Sequence, residues 1–248
     1  MHRFFLTDRP LAVGDVVALD PLAHQLHAVL RLAPGDRILL LDGQGQSFPT
    51  ELVQVSPRRA QGRILARRPA SGEPRVELVL FLCSLKRDKF EWVLQKGTEL
   101  GASRFVPVIS QRSVVRPAAA LVKKFPRWRT IIREAAEQCG RARLPRLADP
   151  VGWAQAVTWA EGPRFLPWEA AAGQEGWPGL GEAVRALRPQ PQRLALLVGP
   201  EGGISPDEAA LARSQGWQPV SLGPRVLRAE TAALASLAIV LEALGELG

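Results

Sequence analysis

The sequence predicts an α/β protein in two parts: a small strand-rich segment over residues 1–70 and a larger segment of alternating strands and helices over residues 71–248. Three observations predict this. The first 70 residues hold several short apolar runs separated by turn material. The remainder alternates strand-like runs with helical periodicity, the pattern of a mainly parallel sheet with helices on its faces. Between them, Arg67–Pro74 has the Pro, Gly, Ser and charged composition of a linker.

In the first segment, strands are expected at Val16–Leu19, Arg37–Leu41, Thr50–Val55 and Ala60–Ala66, with a short helix at His24–Leu32. Pro34-Gly35-Asp36 and Asp42-Gly43-Gln44-Gly45 supply the turns. So many short strands in so few residues suggest a compact barrel. Gly43-Gln44-Gly45 is not a dinucleotide fingerprint, because Phe48 stands where the third Gly belongs and no helix follows.

In the second segment, Val76–Leu82 is almost continuously apolar, as a strand buried on both faces must be. A helix follows over Asp88–Leu100, with Phe90, Val93, Leu94 and Leu100 as its apolar stripe and Gly101 placed to end it. Phe105–Ile109 is the next strand. Phe125–Cys139 is a helix turning Trp128, Ile131, Ile132, Ala135 and Cys139 inward. Phe165–Trp168 and Leu194–Val198 are strands. Ser205-Pro206-Asp207-Glu208 is a capping box that opens a helix ending near Gly216. Pro219–Leu222 is a last short strand. Ala229–Leu247 is a helix apolar on nearly every side, so the sheet or a second subunit must cover it.

The chain is long enough to bury a substantial core. No apolar run reaches membrane-span length, and the N-terminus lacks the apolar core and cleavage site of a signal peptide, so a cytoplasmic protein with no membrane partner is expected. Two isolated cysteines and three histidines argue against a disulfide framework or a metal site. The formal charge of +8 is uneven: residues 71–150 carry 16 basic and 8 acidic side chains, whereas residues 151–248 carry 7 and 10. A basic surplus confined to one stretch suits a polyanionic partner, and it also suits a solvated basic face.

Two loops leave strand ends where backbone could approach a ligand: Gly199-Pro200-Glu201-Gly202-Gly203, and a second beginning at Leu222-Gly223. Either alone reads as a tight turn. Together, with a capping box closing the first, they are more than turns need, and open α/β sheets bind ligands at such strand ends. There is no P-loop and no dinucleotide fingerprint, so a cofactor would be held mostly by backbone groups. Two further constellations concern RNA. Lys89, Trp92, Lys96 and Glu99 share one helix face, with Lys86 just before it; on this helix alone a solvated face with a snorkelling Trp is the simpler reading. Arg127–Arg146 holds more arginines than intrahelical pairing uses, which favours phosphate contact through Arg129, Arg133 and Arg141. All three histidines (His2, His24, His27) precede the linker, and no nucleophile stands out. Transfer from an activated cofactor asks least of such a protein.

These residues resemble the bacterial 16S ribosomal RNA uracil-N3-methyltransferases of the SPOUT superfamily. The matching segments are His2-Arg3-Phe4-Phe5, Val29–Leu32 with Gly35-Asp36, Lys86–Gly101, Arg112-Ser113, Glu134-Ala135 with Glu137-Gln138-Cys139, Gly199–Gly203, and Leu222–Ala232 reading LGPRVLRAETA. Residues 148–191 match weakly. The resemblance implies a PUA-like RNA-binding β-barrel at residues 1–70 and a SPOUT-type trefoil-knotted methyltransferase domain at 71–248. It implies S-adenosyl-L-methionine as cofactor, a homodimer, and N3-methylation of uridine 1498 of 16S rRNA in the small ribosomal subunit. Carried over by position, the cofactor residues are Leu197, Gly199, Pro200, Glu201, Gly202, Gly203, Leu222, Gly223, Val226, Leu227, Arg228 and Thr231, with adenine taking amides near Leu222 and Leu227. Trp168-Glu169, at another strand end, is a weaker candidate. Arg3, Arg31, Lys86, Lys89, Lys96, Arg112, Arg129, Arg133 and Arg141 are the expected RNA contacts. Uracil N3 must lose a proton to accept a methyl group, so Arg228 is the candidate for stabilising the anion and Glu201 for taking the proton. Arg228 has an equally good reading as a structural residue of the knot. A SPOUT enzyme acting on another RNA or on ribose, and a non-enzymatic RNA-binding assembly factor, stay open as alternatives.

Overall fold

The computed structural model describes residues 1–86, 88–114, 117–171 and 176–247. By internal contacts the chain divides into two units, Met1–Glu73 with Ala136–Leu144, and Pro74–Ala135 with Pro145–Gly248.

The first unit is built on β1 (Arg3–Phe5), β2 (Val16–Ala18), β3 (Arg37–Leu41), β4 (Gln46–Val55), β5 (Ala60–Ile64) and β6 (Arg68–Pro69). They form one sheet in the order β1-β3-β4-β5-β2, with β6 on β4. β1 pairs parallel to β3, and the other pairings are antiparallel. Alternate residues turn inward, so Phe4, Val17, Ile38, Leu40, Phe48, Leu52 and Ile64 make a shared core with Leu19 and Leu26. The helix expected at His24–Leu32 is a five-residue π-helical turn, Gln25–Val29. The expected linker is corrected at its start: Arg68 pairs with Ser47 and Pro69 with Gln46, at a sheet edge that tolerates proline. The returning segment Ala136–Leu144 completes this unit. Ala136 and Ala142 pack with Phe5 and Leu41, and Phe5 N donates to Glu137 at 2.9 Å.

The second unit contains β7 (Glu77–Cys83), α1 (Lys89–Leu100), β8 (Arg104–Ile109), α2 (Ala118–Val122), α3 (Phe125–Cys139, whose last turn is counted with the first unit), β9 (Arg146–Leu147), β10 (Val151–Gly152), α4 (Trp153–Trp159), β11 (Arg164–Pro167), α5 (Leu180–Arg185), β12 (Arg193–Val198), α6 (Pro206–Ser214), β13 (Gln218–Val220) and α7 (Ala229–Ala243). The sheet runs β10-β8-β7-β12-β11-β13, with β9 on β8, and every pairing is parallel. β7 explains why its sequence is uniformly apolar. Leu78, Leu80 and Leu82 face a core shared with α1, α3, α5 and α7, while Val79, Phe81 and Cys83 face one shared with α4 and α6.

Helix ends follow the sequence. Gly101 and Ala102 return their amides to Thr98 and Gly97, closing α1. Ser205 and Glu208 form the expected capping box: Glu208 N donates to Ser205 Oγ at 3.3 Å and Ser205 N to Glu208 Oε2 at 3.2 Å. Cys139 is a correction, since it is exposed rather than inward-facing. The apolar α7 packs against α1 and α5 and over β7 and β12, so its own chain covers much of it. Among the described residues, no helix is long and apolar enough to cross a membrane.

Candidate active site

β12, β11 and β13 are neighbours in the sheet and parallel, so their carboxyl ends deliver three loops to one place. A pocket of about 490 Å³ lies there, lined by residues 167–169, 198–203 and 222–229 (Pro224 aside), with Ala232 and Lys89. Its size and its position beyond the strand ends match those of small-molecule sites in open α/β sheets.

Of the residues expected from sequence, Gly199, Pro200, Glu201, Gly202, Gly203, Leu222, Gly223, Val226, Leu227 and Arg228 line this pocket. Leu197 does not. Strand alternation turns it to the opposite face, fully buried with Phe81, Ala209 and Trp217, and its neighbour Val198 lines the pocket instead. Thr231 is the second correction. It is exposed on α7, whereas Ala229 and Ala232, three apart on one helix face, reach the wall. Trp168 and Glu169 are part of the lining, as are Arg225 and Lys89, which the sequence did not assign to a cofactor site.

The loops are fixed from behind. Gly203 N donates to Pro200 O at 2.9 Å, and Ile204 N to Glu169 Oε1 at 3.3 Å. Arg112 donates to Gly202 O at 3.1 Å. Glu208, besides its capping role, accepts from Gln111 N at 2.7 Å, tying the loop after β8 to the start of α6. In the second loop Gly223 N donates to Ser221 Oγ at 3.1 Å. Gly203 and Gly223 have φ of +74° and +104°, a region that side chains with a Cβ rarely adopt. Glycine at these two positions lets both loops turn in this conformation beside the pocket.

The charges are sorted. Lys89 Nζ lies 3.2 Å from Glu230 Oε1 and 3.7 Å from Glu201 Oε1, and Lys86 N donates to Glu201 Oε1 at 3.0 Å. Glu230 Oε2 is buried without a hydrogen-bond partner among the described residues. The side chains of Arg225 and Arg228 form no ion pair or hydrogen bond among the described residues, so their guanidinium groups are open to a ligand. Thiol chemistry has no place here: Cys83 is fully buried, and desolvation, the largest effect, pushes its thiol well above the ordinary value.

The expected RNA contacts separate. Arg3 and Arg31 are exposed in the first unit, and Lys86, Arg112, Arg129 and Arg133 in the second. Two are corrected, Arg141 and Lys89, and Lys96 has a protein partner. Arg141 is 4% exposed and donates to Glu73 at 2.8 Å, so it is a buried structural partner. Lys96 is held by Glu99 at 2.8 Å and lies 5.3 Å from the Trp92 ring, the solvated-face arrangement. Lys89 is committed to Glu201 and Glu230.

A family described as RNA methyltransferase domain matches residues 72–241. The ribosomal RNA small subunit methyltransferase E of Synechocystis sp. is 36% identical, across 96% of this chain and 76% of its own. The protein of the same name from Bacillus subtilis is 31% identical, across 97% and 96%. Among solved structures, the ribosomal RNA small subunit methyltransferase E of Neisseria gonorrhoeae bound to S-adenosyl methionine superposes with a TM-score of 0.86 at 33% identity, covering 98% of this chain and 97% of that one.

Proposed function

The chain belongs to the RNA methyltransferase domain family, and we propose that it methylates N3 of a uridine in the ribosomal RNA of the small subunit, at the position numbered 1498. It is an RNA methyltransferase using S-adenosyl-L-methionine. The observation that carries the proposal is the meeting of three strand-end loops in one pocket that combines glycine-rich turns, two carboxylates and two guanidinium groups that have no partner among the described residues. Residues 199–203 and 222–227, with Trp168 and Glu169, would hold the cofactor, which supplies a methyl group activated on a sulfonium sulfur.

This chain's own residues do the rest. Glu201, fixed through one oxygen by Lys86 N and Lys89, keeps its other oxygen to take the proton that uracil N3 must lose. Arg228 stabilises the negative charge then spread over O2 and O4. Arg3 and Arg31 of the first unit, and Lys86, Arg112, Arg129 and Arg133 of the second, contact the RNA backbone. The domain assignment belongs to the same proposal: a PUA-like RNA-binding barrel over 1–70, a trefoil-knotted catalytic domain over 71–248, and a homodimer. Calorimetric titration with S-adenosyl-L-methionine tests it. Saturable binding is expected, and no binding would leave an RNA-binding assembly factor that cannot methylate.

A further inference from the structure

Lys89 is the first residue of α1, yet its ammonium serves two carboxylates from two other elements, Glu201 beyond β12 and Glu230 in the first turn of α7. The closer pair is with Glu230, at 3.2 Å, and the second oxygen of Glu230 is buried with no partner among the described residues. The Glu230 side chain is 15% exposed, so little water could replace Lys89 if it were removed. Arg228, which lines the pocket together with Lys89 and Glu201, has no side-chain partner among the described residues and stands two residues from Glu230 in sequence. A guanidinium fork matches a carboxylate well, and a buried carboxylate deprived of its cation is costly until another partner replaces it.

We propose that Lys89 is a positioning residue for methyl transfer: by occupying Glu230 and Glu201 together, it keeps them from capturing Arg228 and leaves that guanidinium for the charge that develops on the target base. The inference rests on the roles given above to Arg228 and Glu201. It replaces an RNA-phosphate role for Lys89, because two carboxylates beside the ammonium repel a phosphate. It also gives the pocket a division of labour: Lys89 neutralises protein carboxylates, and Arg228 meets substrate.

The test uses the full-length protein with Lys89→Met, Glu230→Gln, the Lys89→Met/Glu230→Gln double variant and Arg228→Ala. Single-turnover methylation of small ribosomal subunits is measured at saturating S-adenosyl-L-methionine, and cofactor affinity by calorimetry, which also reports that each variant is folded. Lys89→Met is expected to slow turnover about tenfold or more while cofactor affinity changes less than about threefold. Adding Glu230→Gln should recover most of that loss, since the stranded carboxylate is gone; a merely structural lysine would give no such rescue. A wild-type rate in Lys89→Met, or a double variant as slow as Lys89→Met, overturns the inference while the role of Arg228 stands if Arg228→Ala is slow. Near-normal turnover in Arg228→Ala overturns the underlying reading, and this inference with it.

Discussion

Gly203 and Glu169 face each other so closely that a β-carbon on Gly203 would overlap Glu169 Oε1, the oxygen that accepts from Ile204 N. Gly203→Ala would therefore displace the carboxylate from the pocket wall and strain a backbone with φ of +74°. At Gly223, φ is +104° but nothing lies within 4 Å of an added β-carbon. The two alanine variants should separate: Gly203→Ala weakens S-adenosyl-L-methionine binding about tenfold or more, whereas Gly223→Ala costs about 1 kcal/mol of backbone strain. Calorimetry and thermal unfolding of both variants decide it; equal losses would contradict the steric account.

On the proposed role, Arg228→Ala should lower turnover on small subunits about a hundredfold and leave cofactor affinity within about threefold, since a cation that meets developing charge acts on the transition state. A parallel loss of affinity and turnover would mark Arg228 as a residue that shapes the loop.

Glu73 joins the two stretches of the first unit. Its carboxylate accepts from Arg141 at 2.8 Å, Ala142 N at 2.9 Å and Arg143 N at 3.0 Å. Arg141 has a side-chain exposure of 5%. Glu73→Ala removes the carboxylate that this buried charge and both amides share and should destabilise the protein by about 3 kcal/mol. Arg141→Met should alter unfolding while leaving RNA affinity near normal. Urea titrations and filter binding at fixed salt read the two effects; an RNA defect in Arg141→Met without a stability change would restore a contact role.

Cys139 is exposed and Cys83 is buried, with burial holding its thiol protonated. A thiol reagent at pH 8 should modify Cys139 in the native protein and reach Cys83 only on unfolding. Mass spectrometry of the labelled protein checks this, and rapid native labelling of Cys83 would contradict the packing of β7.

Where a signal is local, the sequence carried it. The bounds of β3 and α3, the Ser205–Glu208 box and the two Gly loops are set by alternation, helical phase and caps within a few residues. Contacts closed over long separations left no such mark. Glu73 meets Arg141 across 68 positions, and Lys86 meets Glu201 across 115, so composition alone turned a buried arginine into an RNA contact and hid Lys89 from the pocket. The corrections at Leu197 and Thr231 are matters of phase: the motif gave the loop, and strand parity and helix turn decide which of its residues face inward.

The central claim is that Arg228 and Glu201 serve methyl transfer to uridine N3 in small-subunit RNA. Small subunits lacking the modification, incubated with the protein and methyl-labelled S-adenosyl-L-methionine, are digested and their nucleosides resolved by mass spectrometry. The label is expected in N3-methyluridine at a single position. Label in a ribose-methylated nucleoside, in another base, or in no nucleoside at all would contradict it.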